Sequence, residues 1–173
     1  MNTIHYTNII LSVIGPDKPG IVSDVSNIVR KFSGNIEKSR MIKLGDFFTI
    51  MVLVTINKEQ IEFIEKGFED LSDYQVSINE LKNTDKEITE NTHTIYLDGI
   101  DSEGIVYKIT NQLAAMDINI EELETDLQNA PMSGVGLFSL KAIVSHPNLS
   151  YEILSSKMDD LATMLDVNII VES

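Results

Sequence analysis

Ile14-Gly15-Pro16-Asp17-Lys18-Pro19-Gly20-Ile21-Val22 is answered 84 residues later by Asp98-Gly99-Ile100-Asp101-Ser102-Glu103-Gly104-Ile105-Val106. The same offset carries Leu11 and Val13 onto Ile95 and Leu97, and Asn35-Ile36-Glu37 onto Asn119-Ile120-Glu121. Past that point the second copy holds six more residues, near Ala130-Pro131-Met132-Ser133-Gly134, where Pro and Ser-Gly mark a turn. Phe48-Thr49-Ile50 then meets Phe138-Ser139-Leu140 at an offset of 90. Identities that keep one spacing over such a length indicate an internal duplication. The copies are read as residues 1–82 and 92–173, with a polar linker at 83–91 in which Ile88 is the one large apolar side chain.

Around the quoted stretch, each copy reads as strand, helix, strand, strand, helix, strand. Ile9, Leu11 and Val13 alternate as on a strand. Ile21, Val22, Val25, Ile28, Val29 and Phe32 recur at helical spacing, and Ser33-Gly34-Asn35 carries a C-terminal glycine signal. Ile36 to Leu44 and Phe47 to Ile56 flank Gly45-Asp46, a two-residue hairpin turn. Asn57 with Gln60 reads as a helix start, followed by the stripe Ile61, Ile64, Phe68 and Leu71 and a strand from Gln75 to Leu81. The second copy runs from the strand His93 to Asp98 to the stripe Ile105, Val106, Ile109, Leu113 and Met116. Strands Ile120 to Leu127 and Leu137 to Ser145 come next, then the stripe Ile153, Leu154, Met158, Leu161 and Leu165 and a last strand at Val167 to Val171. The order βαββαβ lets two helices cover one face of a four-stranded antiparallel sheet. The expected fold is α+β, two tandem ferredoxin-like βαββαβ modules.

Composition narrows what such a chain does. Its 173 residues are 43% hydrophobic, enough for real cores, and include no cysteine. That excludes disulfides, a thiol nucleophile and any cysteine-based metal site. The net charge of −14 disfavours direct contact with nucleic acid phosphates. Its longest apolar runs, Phe47 to Ile56 and Ile9 to Ile14, are strand-sized, and Met1 to Tyr6 lacks the basic start of a signal peptide. A cytoplasmic location with no membrane partner is expected. Charge is uneven: residues 1–82 carry nine basic and eleven acidic side chains, residues 83–173 four and sixteen. That asymmetry suits either a solvated acidic face or contact with a basic partner protein.

The loop between first strand and first helix carries the chemistry. Pro19 suits the first turn of a helix, and Gly20 permits close approach of backbone or ligand. A helix start presents free N–H groups to a carboxylate, and Asp17 or Asp101 would meet an ammonium. A zwitterionic amino acid carries both. Asn35 and Asn119 follow the far end of the same helix, so they would serve a pocket completed by a neighbouring module. The same residue types also suit plainer roles, aspartate as a helix cap and asparagine in a turn.

G-P-D-x-P-G-I-V, a helix, and then N-I-E resembles an ACT domain, and the resemblance covers nearly the whole chain. The tandem arrangement resembles the glycine cleavage system transcriptional repressor family. The resemblance implies binding of a small amino acid, glycine or serine favoured, between paired modules. The implied ligand positions are Asp17, Pro19, Gly20, Ile21 and Asn35 in copy one and Asp101, Gly104, Ile105 and Asn119 in copy two. Copy two departs from the motif. Ile100 stands for Pro16 and Ser102-Glu103 for Lys18-Pro19, and the acid at Glu103 disfavours a carboxylate there.

Enzymatic rivals lack their parts. His5, His93 and His146 are scattered, and there is no phosphate loop, no nucleophile elbow and no arginine for an acylphosphatase loop. An RNA-recognition module would need exposed aromatics on its central strands with basic surroundings, whereas Phe48 and Phe138 read as core or module-interface residues. Tyr6 and Tyr96 share a face of the first strand, and the methionines Met116, Met132, Met158 and Met164 suit core or interface packing. The chain is therefore expected to be a non-catalytic homodimeric sensor without cofactor or metal. It would modulate a partner, either a DNA-binding regulator or, alternatively, a metabolic enzyme of which it is a regulatory subunit or assembly module.

Overall fold

A computed structural model describes residues 5–81, 91–130 and 134–173. The chain divides into two compact units, Met1–Lys86 and Glu87–Ser173. Most of the stretch expected as a linker, and the turn residues Pro131, Met132 and Ser133, lie outside the described residues.

The first unit runs β1 (Tyr6–Pro16), α1 (Ile21–Lys31), β2 (Asn35–Leu44), β3 (Phe47–Asn57), a 3-10 turn (Lys58–Gln60), α2 (Ile61–Gly67) and β4 (Gln75–Glu80). Its antiparallel sheet has the order β2-β3-β1-β4, with Leu11 of β1 opposite Val52 on one side and Ile78 on the other. Strand alternation sends Ile9, Leu11 and Val13, and Phe48 to Ile56 at every second residue, into one core. There they meet Ile21, Val25 and Val29, spaced four apart on α1, with Ile64 of α2 and Phe68. Each such burial contributes about 1.5–3 kcal/mol.

The second unit repeats the plan: β5 (Asn91–Ile100), α3 (Ile105–Ala115), β6 (Asn119–Asn129), β7 (Gly136–His146), α4 (Tyr151–Leu165) and β8 (Asn168–Glu172). Its sheet order is β6-β7-β5-β8. Ile105, Ile109 and Leu113 of α3 pack with Leu154, Met158 and Leu161 of α4 over Ile95, Leu97, Leu140 and Val144. Both units are thus ferredoxin-like α+β modules, as the order of elements predicts. No described helix is long and apolar enough to cross a membrane.

Details differ from the sequence reading. Val22 and Ile153, expected in helix stripes, are exposed, Ile153 to 60%. Phe32 caps α1 instead of continuing it, and Leu71 lies beyond α2. That helix stops at Gly67, which packs against Phe32 so closely that a Cβ would come within 2.5 Å of Cε2. Ser33, with φ of 58°, takes the left-handed turn assigned to Gly34. Gly34 is required by packing instead, since a Cβ there would stand 2.9 Å from both Val29 and Val54. Pro19 precedes the cap, as α1 begins at Ile21. Asn57 Oδ1 accepts from the Glu59 N–H at 3.1 Å, so it caps the 3-10 turn.

Two of the histidines lie on strands. His93 is the third residue of β5 and is buried against Tyr151, ring centroids 5.9 Å apart. His146 ends β7, and its Nδ1 accepts from the Asn148 N–H at 3.1 Å. Phe48 and Phe138 are core residues. Of the methionines, Met158 is fully buried, Met116 packs at the core edge, and Met164 is exposed.

Candidate functional site

Each β–α loop is built from its own sequence. In the first, Gly20 adopts φ 98° and ψ −17°, a left-handed turn that swings the chain into α1. The Ile21 N–H returns to the Lys18 carbonyl at 3.3 Å and the Asp24 N–H to Gly20 at 2.9 Å. The N–H groups of Val22 and Ser23 remain as the first-turn donors that no α-helix satisfies internally. Gly104, with φ 77°, does the same for α3, with Ile105 bonded to Ser102 and Lys108 to Gly104. The side chains of Ile21 and Ile105 are core, so what they bring to the loop is mainly backbone.

The loops are tied to the adjacent hairpins. The Asp17 N–H donates to the Asp46 carbonyl at 3.0 Å, and the Asp101 N–H to the Gly136 carbonyl at 2.9 Å. Neither aspartate caps its helix, for α1 and α3 have no side-chain cap bond and Gly20 and Gly104 occupy the cap positions. Instead the Asp17 carboxylate accepts from Lys43 Nζ of β2 at 2.6 Å. The residue at that place in the second unit is Leu127, and Asp101 has no ion pair among the described residues. The first loop is thus balanced by cations and the second left acidic, with Glu103 adding to it.

A feature the sequence did not disclose borders the first loop. A cavity of about 220 Å³ is lined by Lys18, Pro19, Ile21, Asp24, Asp73 and Tyr74, with the turn before β4 as its far wall. Lys18 Nζ meets Asp73 Oδ2 at 2.6 Å, a hydrogen-bonded ion pair that raises the lysine pKa and lowers that of the carboxyl. The Tyr74 hydroxyl donates to the Pro16 carbonyl at 2.8 Å. The signal was present in Asp70-Leu71-Ser72-Asp73-Tyr74, but that segment reads as helix end and turn until the sheet folds it beside Lys18.

Asn35 and Asn119 stand elsewhere. Asn35 opens β2 opposite Thr55, whereas the Asp17 loop abuts the Phe47 end of β3. Eight residues of strand, roughly 26 Å at about 3.3 Å each, separate the two ends. A module's own loop and its own asparagine therefore do not share a small ligand. Asn35 Nδ2 donates to Glu37 Oε1 at 2.7 Å, and Asn119 Nδ2 to Glu121 Oε1 at 2.5 Å. Ser145 Oγ, itself buried, donates to the same Glu121 oxygen at 2.6 Å. These bonds, that of Ser145 foremost, hold the Glu121 carboxyl below its ordinary pKa of 4.5. The asparagines make no turn; each begins a strand.

A βαββαβ module whose first helix opens on a left-handed glycine, twice in one chain, defines a tandem ferredoxin-like architecture. Residues 7–78 match the family model of the ACT domain, so the first unit is an ACT domain, and the second repeats its fold. It is 27% identical over 135 residues to the glycine cleavage system transcriptional repressor of Escherichia coli, covering 75% of this chain and 69% of that one. It is 40% identical over 58 residues to a UPF0237 protein of Methanococcus maripaludis, covering 34% of this chain and 64% of that one. The matched chain thus spans about two thirds of these relatives' lengths. A crystal structure of an unknown protein from Galdieria sulphuraria superposes with a TM-score of 0.87 at 32% identity, covering 97% of this chain and 98% of that one.

Proposed function

We propose that the chain is a non-catalytic, amino-acid-responsive regulator that acts as a homodimer on a partner protein. The observation that carries this reading is the duplicated helix start. Gly20 and Gly104 each turn the chain so that first-turn N–H groups face outward beside a loop fixed to the neighbouring hairpin. Such a place favours a carboxylate. In the first unit Lys43 pairs with Asp17 and Lys18 with Asp73, which offsets the acid beside the helix start, so the backbone of Pro19, Gly20 and Ile21 forms the better carboxylate seat, with Asp17 beside it. Asp101, Gly104 and Ile105 with Glu103 form a weaker one. The asparagine that completes a site comes from a neighbouring module. Glycine and serine are the favoured ligands, because the relation to a glycine cleavage repressor points to that metabolism. Binding changes the pairing of copies and thereby the affinity for the partner, since a ligand shifts only states it binds unequally. In transcriptional control the chain acts through a DNA-binding protein, since its charge of −14 opposes contact with DNA.

Calorimetric titration with the standard amino acids tests this. A saturable signal for glycine or serine, lost when Gly20 is replaced by a β-branched residue, is the expected result. Silence across the whole panel would remove the sensing role.

A further inference from the structure

We propose that Glu37 and Glu121 are positioning residues of the amino-acid site, each locking an asparagine amide so that the group it presents to a ligand is an acceptor and the ligand group it reads is an ammonium. This rests on the reading above that Asn35 and Asn119 face the ligand.

The geometry is built twice. In β2 the register passes from Ile36 opposite Val54 to Lys38 opposite Leu53, leaving Glu37 without a cross-strand partner. In β6 it passes from Ile120 opposite Val144 to Glu122 opposite Ile143, leaving Glu121 likewise. Each glutamate is therefore the extra residue of a β-bulge, a device that re-aims a side chain. Both turn toward the asparagine two residues back and the hydroxyl opposite that asparagine, Thr55 in one unit and Ser145 in the other. Two modules with little other identity in these strands keep Asn, Glu and a hydroxyl residue together.

The chemistry fixes the amide's orientation. An ionised carboxylate only accepts hydrogen bonds. The NH₂ end of each asparagine must then face the glutamate, and Oδ1 must face away. All these bonds use Oε1 of the glutamate, and no donor from the described residues reaches Oε2. What remains outward is an amide oxygen and half of a carboxylate, two acceptors and one negative charge. A ligand carboxylate is repelled there and an ammonium is held. Asp17, already paired with Lys43, is thereby relieved of the ammonium-binding role its position suggests. The second lock is the firmer. Ser145 gives its single hydrogen to Glu121, whereas Thr55 divides its own between Asn8 Oδ1 at 2.8 Å and Glu37 Oε1 at 3.2 Å.

The test has a ligand-free arm and a ligand arm, both on the full chain. Side-chain amide signals of Asn35 and Asn119 are followed by ¹⁵N NMR in wild type, Glu37→Ala and Glu121→Ala, with the backbone signals as a check on folding. The account predicts that each substitution moves its own asparagine's amide signals and speeds their solvent exchange at fixed pH, and that lowering the pH through the Glu121 titration moves the Asn119 signals. Glycine, serine and N-acetylglycine are then titrated calorimetrically. Each alanine variant should weaken binding of the responding amino acid by about tenfold, the scale of one charge-assisted hydrogen bond. The Gln variants, which keep an acceptor, should recover part of it, and N-acetylglycine should not bind. Unmoved amide signals, or alanine variants that bind as wild type does, would overturn the inference while leaving a sensing role intact. Moved amide signals with no amino acid bound would overturn the sensing role, and this inference with it.

Discussion

Gly20 separates two ways in which a glycine matters. Its φ of 98° is a conformation that side chains resist, yet nothing lies within 4 Å of where a Cβ would stand. Gly20→Ala should therefore cost about 1–2 kcal/mol through backbone strain alone, read as a lower urea midpoint with unchanged slope. Gly34→Ala fails for the opposite reason, because its Cβ would press on Val29 and Val54. A loss of about 1–3 kcal/mol is expected from that overpacking. Glu121 gives a prediction in pH. Its folded-state pKa is depressed by Ser145 and Asn119, so it stabilises the native state above the unfolded value near 4.5, and that contribution disappears as pH falls through the lower folded value. The acid limb of the stability curve should flatten in Glu121→Gln, and a curve identical to wild type would count against the lock. Gly20 and the repeated Asn-Ile-Glu were legible in sequence. The Lys43–Asp17 pair and the glutamate bulges were not, because both depend on strand register, which joins residues far apart in the chain.

At the scale of elements, the sequence pattern located each α-helix and strand among the described residues, and errors gathered at helix ends. Spacing alone cannot tell which residue of an apolar pair faces inward, and in α4 it placed both Ile153 and Leu154 on the stripe. Leu154 is fully buried and Ile153 is 60% exposed. Leu154→Ala should cost about 2–5 kcal/mol by cavity formation, while Ile153→Ser should stay within about 0.5 kcal/mol. Thermal or urea unfolding of the two variants reads that contrast directly. The stripe assigned to α2 extended to Leu71, but the helix ends two turns in, at Gly67. The chain thus turns early, and the segment from Asp70 to Tyr74 becomes a wall of the cavity beside Lys18. Gly67 was the local sign of that boundary, a poor helix former that the apolar stripe alone passes over.

For the whole molecule, the duplication was the most legible fact, since an 84-residue offset is independent of any contact. Each unit has its own core, and the relation to a glycine cleavage repressor extends over 75% of the chain. The two copies have diverged in charge: Lys43 and Lys18 attend the first loop, whereas Leu127 and Glu103 attend the second. On the proposed function one loop is a stronger seat for a carboxylate than the other, and a dimer should bind fewer ligands than it has modules. The central claim, that a small amino acid governs the assembly of this chain, is tested most directly by sedimentation of the full chain alone and with saturating glycine or serine. The account predicts a dimer whose association constant changes when one of them is present. A mass and association constant indifferent to both would contradict it.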